Sequence, residues 1–129
     1  MNRSALIVGA GSGLSSSLAL QCAHLGMDVA LAARNVEKLE DLSIQAKASL
    51  HKCDASKIDD VNRLFEDLDE KLGIPELVVY NPSARLRGAI ETLDPEKTKE
   101  ALHVTCFGAF LVAQQAAKRM LKRGSGSIF

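Results

Sequence analysis

At 129 residues, with 47% hydrophobic and 25% charged side chains, the chain has the size and balance of one globular domain, residues 1–129, built around a single core. Sixteen basic residues against sixteen acidic ones give a formal charge of zero, so bulk electrostatics favour neither nucleic acid nor an anionic membrane, and a small-molecule partner is expected. Three widely spaced cysteines, Cys22, Cys53 and Cys106, suit neither a disulfide framework nor a zinc site and point to a reducing, cytoplasmic setting; no apolar run approaches the ~20 residues that span a bilayer.

In chain order, the apolar runs Ser4 to Gly9 and Asp28 to Ala33 read as strands. Between them Leu14, Leu18, Cys22 and Leu25 recur at helical spacing. Val36, Leu39, Leu42 and Ala46 mark a second helix, and Ser49 to Cys53 a weaker strand, interrupted by Lys52 and therefore expected at a sheet edge. Ile58, Val61, Leu64, Phe65, Leu68 and Leu72 trace a third helix that Gly73 and Pro75 end before the strand Leu77 to Tyr80. After an irregular segment, Asn81 to Thr92, Asp94 can cap a long helix with Pro95 at its first position. Apolar residues at Leu102, Cys106, Ala109, Phe110, Ala113, Ala117 and Met120 carry that helix to about Lys122. Gly124 and Gly126 break it, and Ser127 to Phe129 begins a fifth strand. This alternation predicts an α/β fold: a Rossmann-like, doubly wound parallel sheet of about five strands, incomplete on its C-terminal side, with helices on both faces.

Such a sheet binds its ligand outside the carboxyl ends of the strands. The first of those ends carries "GAGSGLSS", Gly9 to Ser16. There Gly9 permits a tight turn, Gly11 leaves a ligand unobstructed, and Gly13 lets the helix start close to the sheet, its amides and positive dipole end facing a phosphate. A purely steric role for the glycines is the bland alternative. About 20 residues on, where a dinucleotide fold meets the ribose, the second strand ends Ala32-Ala33-Arg34, with no acid. A guanidinium can pair with a 2′-phosphate, so Arg34 argues for NADP(H), with NAD(H) possible; a solvated arginine is the alternative. Asp54 is placed either to accept from an adenine amino group or to cap a turn.

These residues together resemble the N-terminal half of the short-chain dehydrogenase/reductase family over all 129 residues. The family motif G-x-x-x-G-x-G stands here as Gly9 to Ser15, with Ser15 in place of its last glycine. Arg34, Cys53-Asp54, Asn81 and Phe107 to Phe129 follow in the family's order. The resemblance implies an NADP(H)-dependent oxidoreductase that moves hydride between nicotinamide and a small alcohol or carbonyl. It implies a cofactor held by Gly9, Gly11, Ser12, Gly13, Leu14, Arg34, Asp54, Ala55, Asn81, Pro82 and Ser83. It further implies a homodimer or homotetramer with the Pro95 to Lys122 helix at the interface.

Two departures stand out. The family's Asn-Ala-Gly after the fourth strand is Asn81-Pro82-Ser83 here, which stiffens the turn, and a relay asparagine is replaced by Thr105. Ser15 should be tolerated next to a phosphate, and Ser15, Ser16 and Ser17 at the helix N-terminus suit capping or phosphate contact. The family's catalytic serine, tyrosine and lysine would lie beyond the fifth strand, so no catalytic residue is assigned. The chain alone is then expected to be inactive and marginally stable or prone to associate. A non-catalytic nucleotide-binding or inert fragment is the alternative function. A receiver-type domain would need paired acids where Gly9 and Ala10 stand. The only tyrosine, Tyr80, reads as core. His24, His51 and His103 lack an obvious acid partner, and no metal site is expected. Ser15, Ser16 and Ser17 have no base nearby. The cluster Lys118, Arg119, Lys122 and Arg123 suits a helix C-terminus, and Arg85 and Arg87 meet either an acidic substrate or solvent.

Overall fold

The computed structural model describes residues 3–129. Five parallel strands, β1 (Ser4–Val8), β2 (Asp28–Ala33), β3 (Ser49–Lys52), β4 (Leu77–Tyr80) and β5 (Ser127–Ile128), form one sheet in the order β3-β2-β1-β4-β5. The connecting helices are α1 (Leu14–His24), α2 (Glu40–Ala46), α3 (Ile58–Lys71), α4 (Pro95–Leu102) and α5 (Gly108–Arg123). This is the expected doubly wound sheet, and the Lys52-interrupted strand does lie at its edge. Strand order runs outward from β1 to β3 and then returns to β4, so it reverses between β1 and β4.

Side-chain alternation splits the core between the two faces. Leu6, Val8, Ala30, Ala32 and Val78 point toward α3 and α5, where Val61, Leu64, Phe65, Leu68, Val112 and Ala116 meet them. Ala5, Ile7, Val29, Leu31 and Val79 point the other way, onto Ala19 and Cys22 of α1 and Leu42 and Ala46 of α2. Phe65 is wholly buried, and burial of such a side chain stabilises the fold by about 1.5–3 kcal/mol.

Two helix faces differ from the expectation. In α1 the buried stripe is Ser15, Ala19 and Cys22, while Leu14 and Leu25 are exposed. Small side chains at this spacing bring the helix close to the sheet, and that closeness outweighs the larger apolar area of the leucines. The long helix is not continuous. A π turn, His103–Phe107, separates α4 from α5. Its extra residue rotates the phase of everything downstream, so the buried stripe of α5 is Gly108, Leu111, Val112, Ala116 and Met120. Phe110 faces outward beside Phe107, with ring centroids 6.2 Å apart. As expected, Asp94 caps α4, its Oδ1 accepting from the amides of Glu96 at 2.8 Å and Lys97 at 3.3 Å.

The basic cluster on α5 is partly tied down. Arg119 grips Asp69 at 2.8 Å and lies over the Phe65 ring, and Arg123 donates to the carbonyls of Ile74, Pro75 and Ser125.

His51 does find polar neighbours in the fold. Its Nε2 shares a 2.9 Å hydrogen bond with Ser49 Oγ, and its Nδ1 lies 3.9 Å from Asp67. Burial pushes the imidazole pKa down, against the opposing pull of Asp67. The unfolded chain therefore binds a proton near its ordinary value of about 6.5 that the folded chain resists. Stability is complete above that pH and is lost as pH falls through the lower, folded value. Urea midpoints measured from pH 8 to pH 5 are expected to drop, and His51→Gln to flatten that drop; an unchanged slope in the variant would assign it to other groups.

Candidate functional site

Strand register brings four chain ends to one rim. Val8 pairs with Ala32 and with Tyr80, and Ala33 pairs with Lys52, so Gly9, Arg34, Cys53-Asp54 and Asn81 leave the sheet at nearly the same level. Between them opens a cleft of about 560 Å³ at the point where strand order reverses. Its walls include Gly9, Ala10, Ala33, Arg34, Cys53, Asp54, Ala55, Asn81, Pro82 and Ser83, together with Asn35, Lys38, Ser56 and Val104, which sequence reasoning did not single out. Asn35 and Lys38 lie on the turn that follows β2, one and four residues past Arg34, a spacing that would have flagged them. Val104 comes from the π turn and carried no signal.

The turn after β1 is held by the Gly9 and Ala10 amides, both donating to the Ala32 carbonyl at 2.9 and 3.1 Å. Gly11 and Ser12 line an adjoining shallow hollow with Ser16 and Lys38; Lys38 borders both spaces, and Gly13 and Leu14 line neither. No side chain caps α1, and its first turn carries no acid, so its leading amides are available to an anion. A Cβ built on Gly11 would meet nothing within 4 Å. The same holds at Gly13, so glycine is required there by a φ of +87°, not by a close approach of helix to sheet.

Ser15 departs most from expectation. It is 1% exposed, and its hydroxyl points inward, accepting from Asn81 Nδ2 at 2.8 Å and donating to the Gly9 carbonyl at 3.4 Å. It therefore does not line the phosphate turn.

Arg34 is exposed at the rim, and no ion pair engages it or Lys38 among the described residues. Asp54 makes the turn contact: its Oδ1 accepts from the Ser56 amide at 3.0 Å and the Ser56 hydroxyl at 2.6 Å. Cys53 is buried, and burial, aided by Asp60 and Asp54, pushes its thiol up to about 12, so it acts as an inert apolar wall.

Tyr80 packs against the core, and its hydroxyl donates to the Val104 carbonyl in the π turn. Burial raises its pKa to about 12, so it is a structural phenol. Gly108 makes room for that contact: a Cβ there would collide with the Tyr80 hydroxyl and come within 2.8 Å of the Ala55 carbonyl. Thr105 brackets the main chain of Ala84, accepting from its amide at 3.1 Å and donating to its carbonyl at 3.2 Å. Arg85 and Arg87 are exposed in the loop beyond. Among the described residues no group of three or more His, Cys, Asp and Glu side chains could hold a metal ion, and no helix is long and apolar enough to cross a membrane.

The short chain dehydrogenase family model matches residues 3–129. The chain belongs to the short-chain dehydrogenase/reductase family. Among relatives of this family, a farnesol dehydrogenase of Aedes aegypti is 32% identical over 126 residues, covering 92% of this chain and 51% of the relative. Among solved structures, a short-chain dehydrogenase/reductase from Mycobacterium marinum superposes with a TM-score of 0.92 at 29% identity, over 98% of this chain and 53% of that one. A metagenomic short-chain oxidoreductase in complex with NADP superposes with a TM-score of 0.93 at 25% identity, over 98% of this chain and 60% of that one. The chain thus spans about half the length of the curated relatives it matches.

Proposed function

We propose that the chain is the cofactor-binding part, one domain over residues 1–129, of an NADP(H)-dependent short-chain oxidoreductase acting on a small alcohol or carbonyl. The observation that carries this reading is the rim itself: the Gly9-Ala10 turn after β1 and Arg34 after β2 wall one cleft, the uncapped start of α1 follows directly on that turn, and no ion pair engages Arg34 among the described residues. The residues fit a dinucleotide, since Gly11 leaves open space where a side chain would stand and the leading amides of α1 have no side-chain partner. When bound, the nicotinamide supplies the hydride chemistry.

The chain's own residues bind and orient. The turn Gly9, Gly11, Ser12, Gly13 and Leu14 offers amides to the diphosphate, and Arg34, with Lys38 beside it, offers positive charge to a 2′-phosphate. Asp54 retains Oδ2, 4.0 Å from Lys57, to accept from the adenine side, next to Ala55. Asn81, Pro82 and Ser83 wall the nicotinamide side. The reading carries with it a reducing, cytoplasmic setting and a homodimer or homotetramer through the helical stretch from Pro95 to Lys122, where Phe107 of the π turn and Phe110 of α5 lie exposed.

A second reading, nucleotide binding without turnover, is favoured by Thr105, whose hydroxyl is occupied by Ala84 and so is withheld from a proton relay. The test is titration of the protein with NADPH, followed by nicotinamide fluorescence and competed with adenosine 2′,5′-bisphosphate. Saturable, competable binding is expected, about tenfold to a hundredfold tighter than NADH. Absence of saturable binding would withdraw both readings; because the chain alone is expected to be inactive under either, they are separated in the whole protein, where binding with no oxidation of NADPH by a carbonyl would favour the second.

A further inference from the structure

Ser15 stands in the first turn of α1, yet it is 1% exposed and reaches no space in the cleft. Its oxygen is used on both sides: it accepts from Asn81 Nδ2 at 2.8 Å and donates to the Gly9 carbonyl at 3.4 Å. That small bridge joins the turn after β1 to the first residue after β4. A second contact runs beside it, because the Pro82 ring sits so close over Gly9 that a Cβ on Gly9 would lie 2.5 Å from Pro82 N. Thr105 then holds Ala84 from the far side, with both main-chain groups of Ala84 bonded to one hydroxyl. A loop that begins with an amide and a proline is thus fixed at both ends.

We propose that Ser15 is a positioning residue: through Asn81 it fixes the Asn81-to-Ala84 loop onto the phosphate turn, so that the two ends of the cofactor cleft are preformed as one unit. The inference rests on the reading of this cleft as an NADP(H) site. A glycine at this position could form no such bridge, because it has no side-chain oxygen. Without the bridge, the loop keeps the bond from the Asn81 amide to the Val8 carbonyl and the Thr105 contacts at Ala84 but is held less firmly, so part of its ordering falls to binding of the nicotinamide half and opposes it. Ligands that occupy only the adenosine half do not touch the loop and escape the penalty.

The experiment is calorimetric titration of wild type, Ser15→Ala and Ser15→Gly with two probes, NADPH and adenosine 2′,5′-bisphosphate. NADPH is expected to bind about three- to tenfold more weakly to the variants, the value of one neutral hydrogen bond, while the bisphosphate changes by less than about twofold. Ser15→Ala added to Asn81→Ala should cost nothing further, because Ser15 acts through Asn81. Hydrogen exchange in the ligand-free protein gives an independent measure, with the Asn81 and Ala84 amides, bonded to the Val8 carbonyl and to Thr105, exchanging faster in Ser15→Ala. Equal losses for both probes, no loss for either, unchanged exchange at those amides, or failure of both variants to fold would each overturn the proposal while leaving the cofactor reading in place. A wild type that binds neither probe overturns the cofactor reading itself, and this inference with it.

Discussion

Gly9→Ala is expected to destabilise the protein by about 2–5 kcal/mol, enough to remove a large part of the 5–15 kcal/mol typical of a folded domain. Two effects add. Gly9 has a φ of +78°, and an L residue in that region costs roughly 1–2 kcal/mol. The new methyl would also lie 2.5 Å from Pro82 N and 2.7 Å from its Cδ and Cγ, and overpacking of this kind costs about 1–3 kcal/mol. Pro82 cannot swing aside as a flexible side chain would, because its ring is locked and Asn81 before it is held by the Val8 carbonyl at 2.9 Å and by Ser15. Urea denaturation measures the effect. Gly11→Ala is the control: its Cβ meets nothing within 4 Å, so stability should change by less than about 0.5 kcal/mol while any effect appears in ligand binding. If Gly9→Ala costs under about 1 kcal/mol, the turn and the Pro82 loop move apart more freely than their contacts imply. Pro82→Ala in the Gly9→Ala background should recover only the part of the overpacking due to the ring carbons, because the main-chain nitrogen at 2.5 Å remains, and leave the φ share.

The contact between Gly9 and Pro82 also marks the boundary of what periodicity can reveal. Alternating strands and helices dictate a parallel sheet, because a parallel strand needs a crossover and the crossover is right-handed; the order β3-β2-β1-β4-β5 does not follow from alternation, which flavodoxin-like sheets share with another order. The cleft at the strand ends follows from the same topology. What periodicity could not reveal depends on partners far apart in the chain. Ser15 reads as a capping or phosphate-side hydroxyl until Asn81, 66 residues later, is placed beside it. The stripe of α1 reads as Leu14, Leu18, Cys22 and Leu25; Cys22 is buried and Leu18 packs against the core, but Ser15 and Ala19 are buried in place of Leu14 and Leu25 because small side chains permit the closer contact with the sheet. The π turn is set by a tertiary fit, with Tyr80 reaching the Val104 carbonyl and Gly108 lying against Ala55, and its single inserted residue shifts the face of all of α5. Lys38 was legible in principle, being four residues past Arg34, but only the structure places both on one cleft wall.

Replacing Arg34 by alanine and Ala33 by aspartate is expected to reverse the cofactor preference. In the wild type Arg34 is an exposed cation at the cleft rim with no carboxylate engaging it among the described residues, so it is free to pair with a 2′-phosphate. A charge-assisted contact of that kind contributes about 1.5–3 kcal/mol, or roughly tenfold to a hundredfold in favour of NADPH over NADH. Arg34→Ala alone should bring the two affinities to within a fewfold, the remainder being held by Lys38 on the same wall; Lys38→Ala should therefore have a smaller effect in wild type than in the Arg34→Ala background. Ala33 also lines the cleft, and an aspartate there would accept from ribose hydroxyls and repel a phosphate, taking the ratio below one. Because Ala33 is 7% exposed, the double variant needs a thermal melt beside each titration, so that a loss of folded protein is not read as a change of preference. Salt supplies the second axis: an exposed ion pair is screened over a Debye length of about 8 Å at physiological ionic strength, so the wild-type preference should shrink as salt rises while NADH affinity changes less. Equal binding of NADPH and NADH to the wild type, or a preference that survives the double change and is indifferent to salt, would reduce Arg34 to a solvated surface charge.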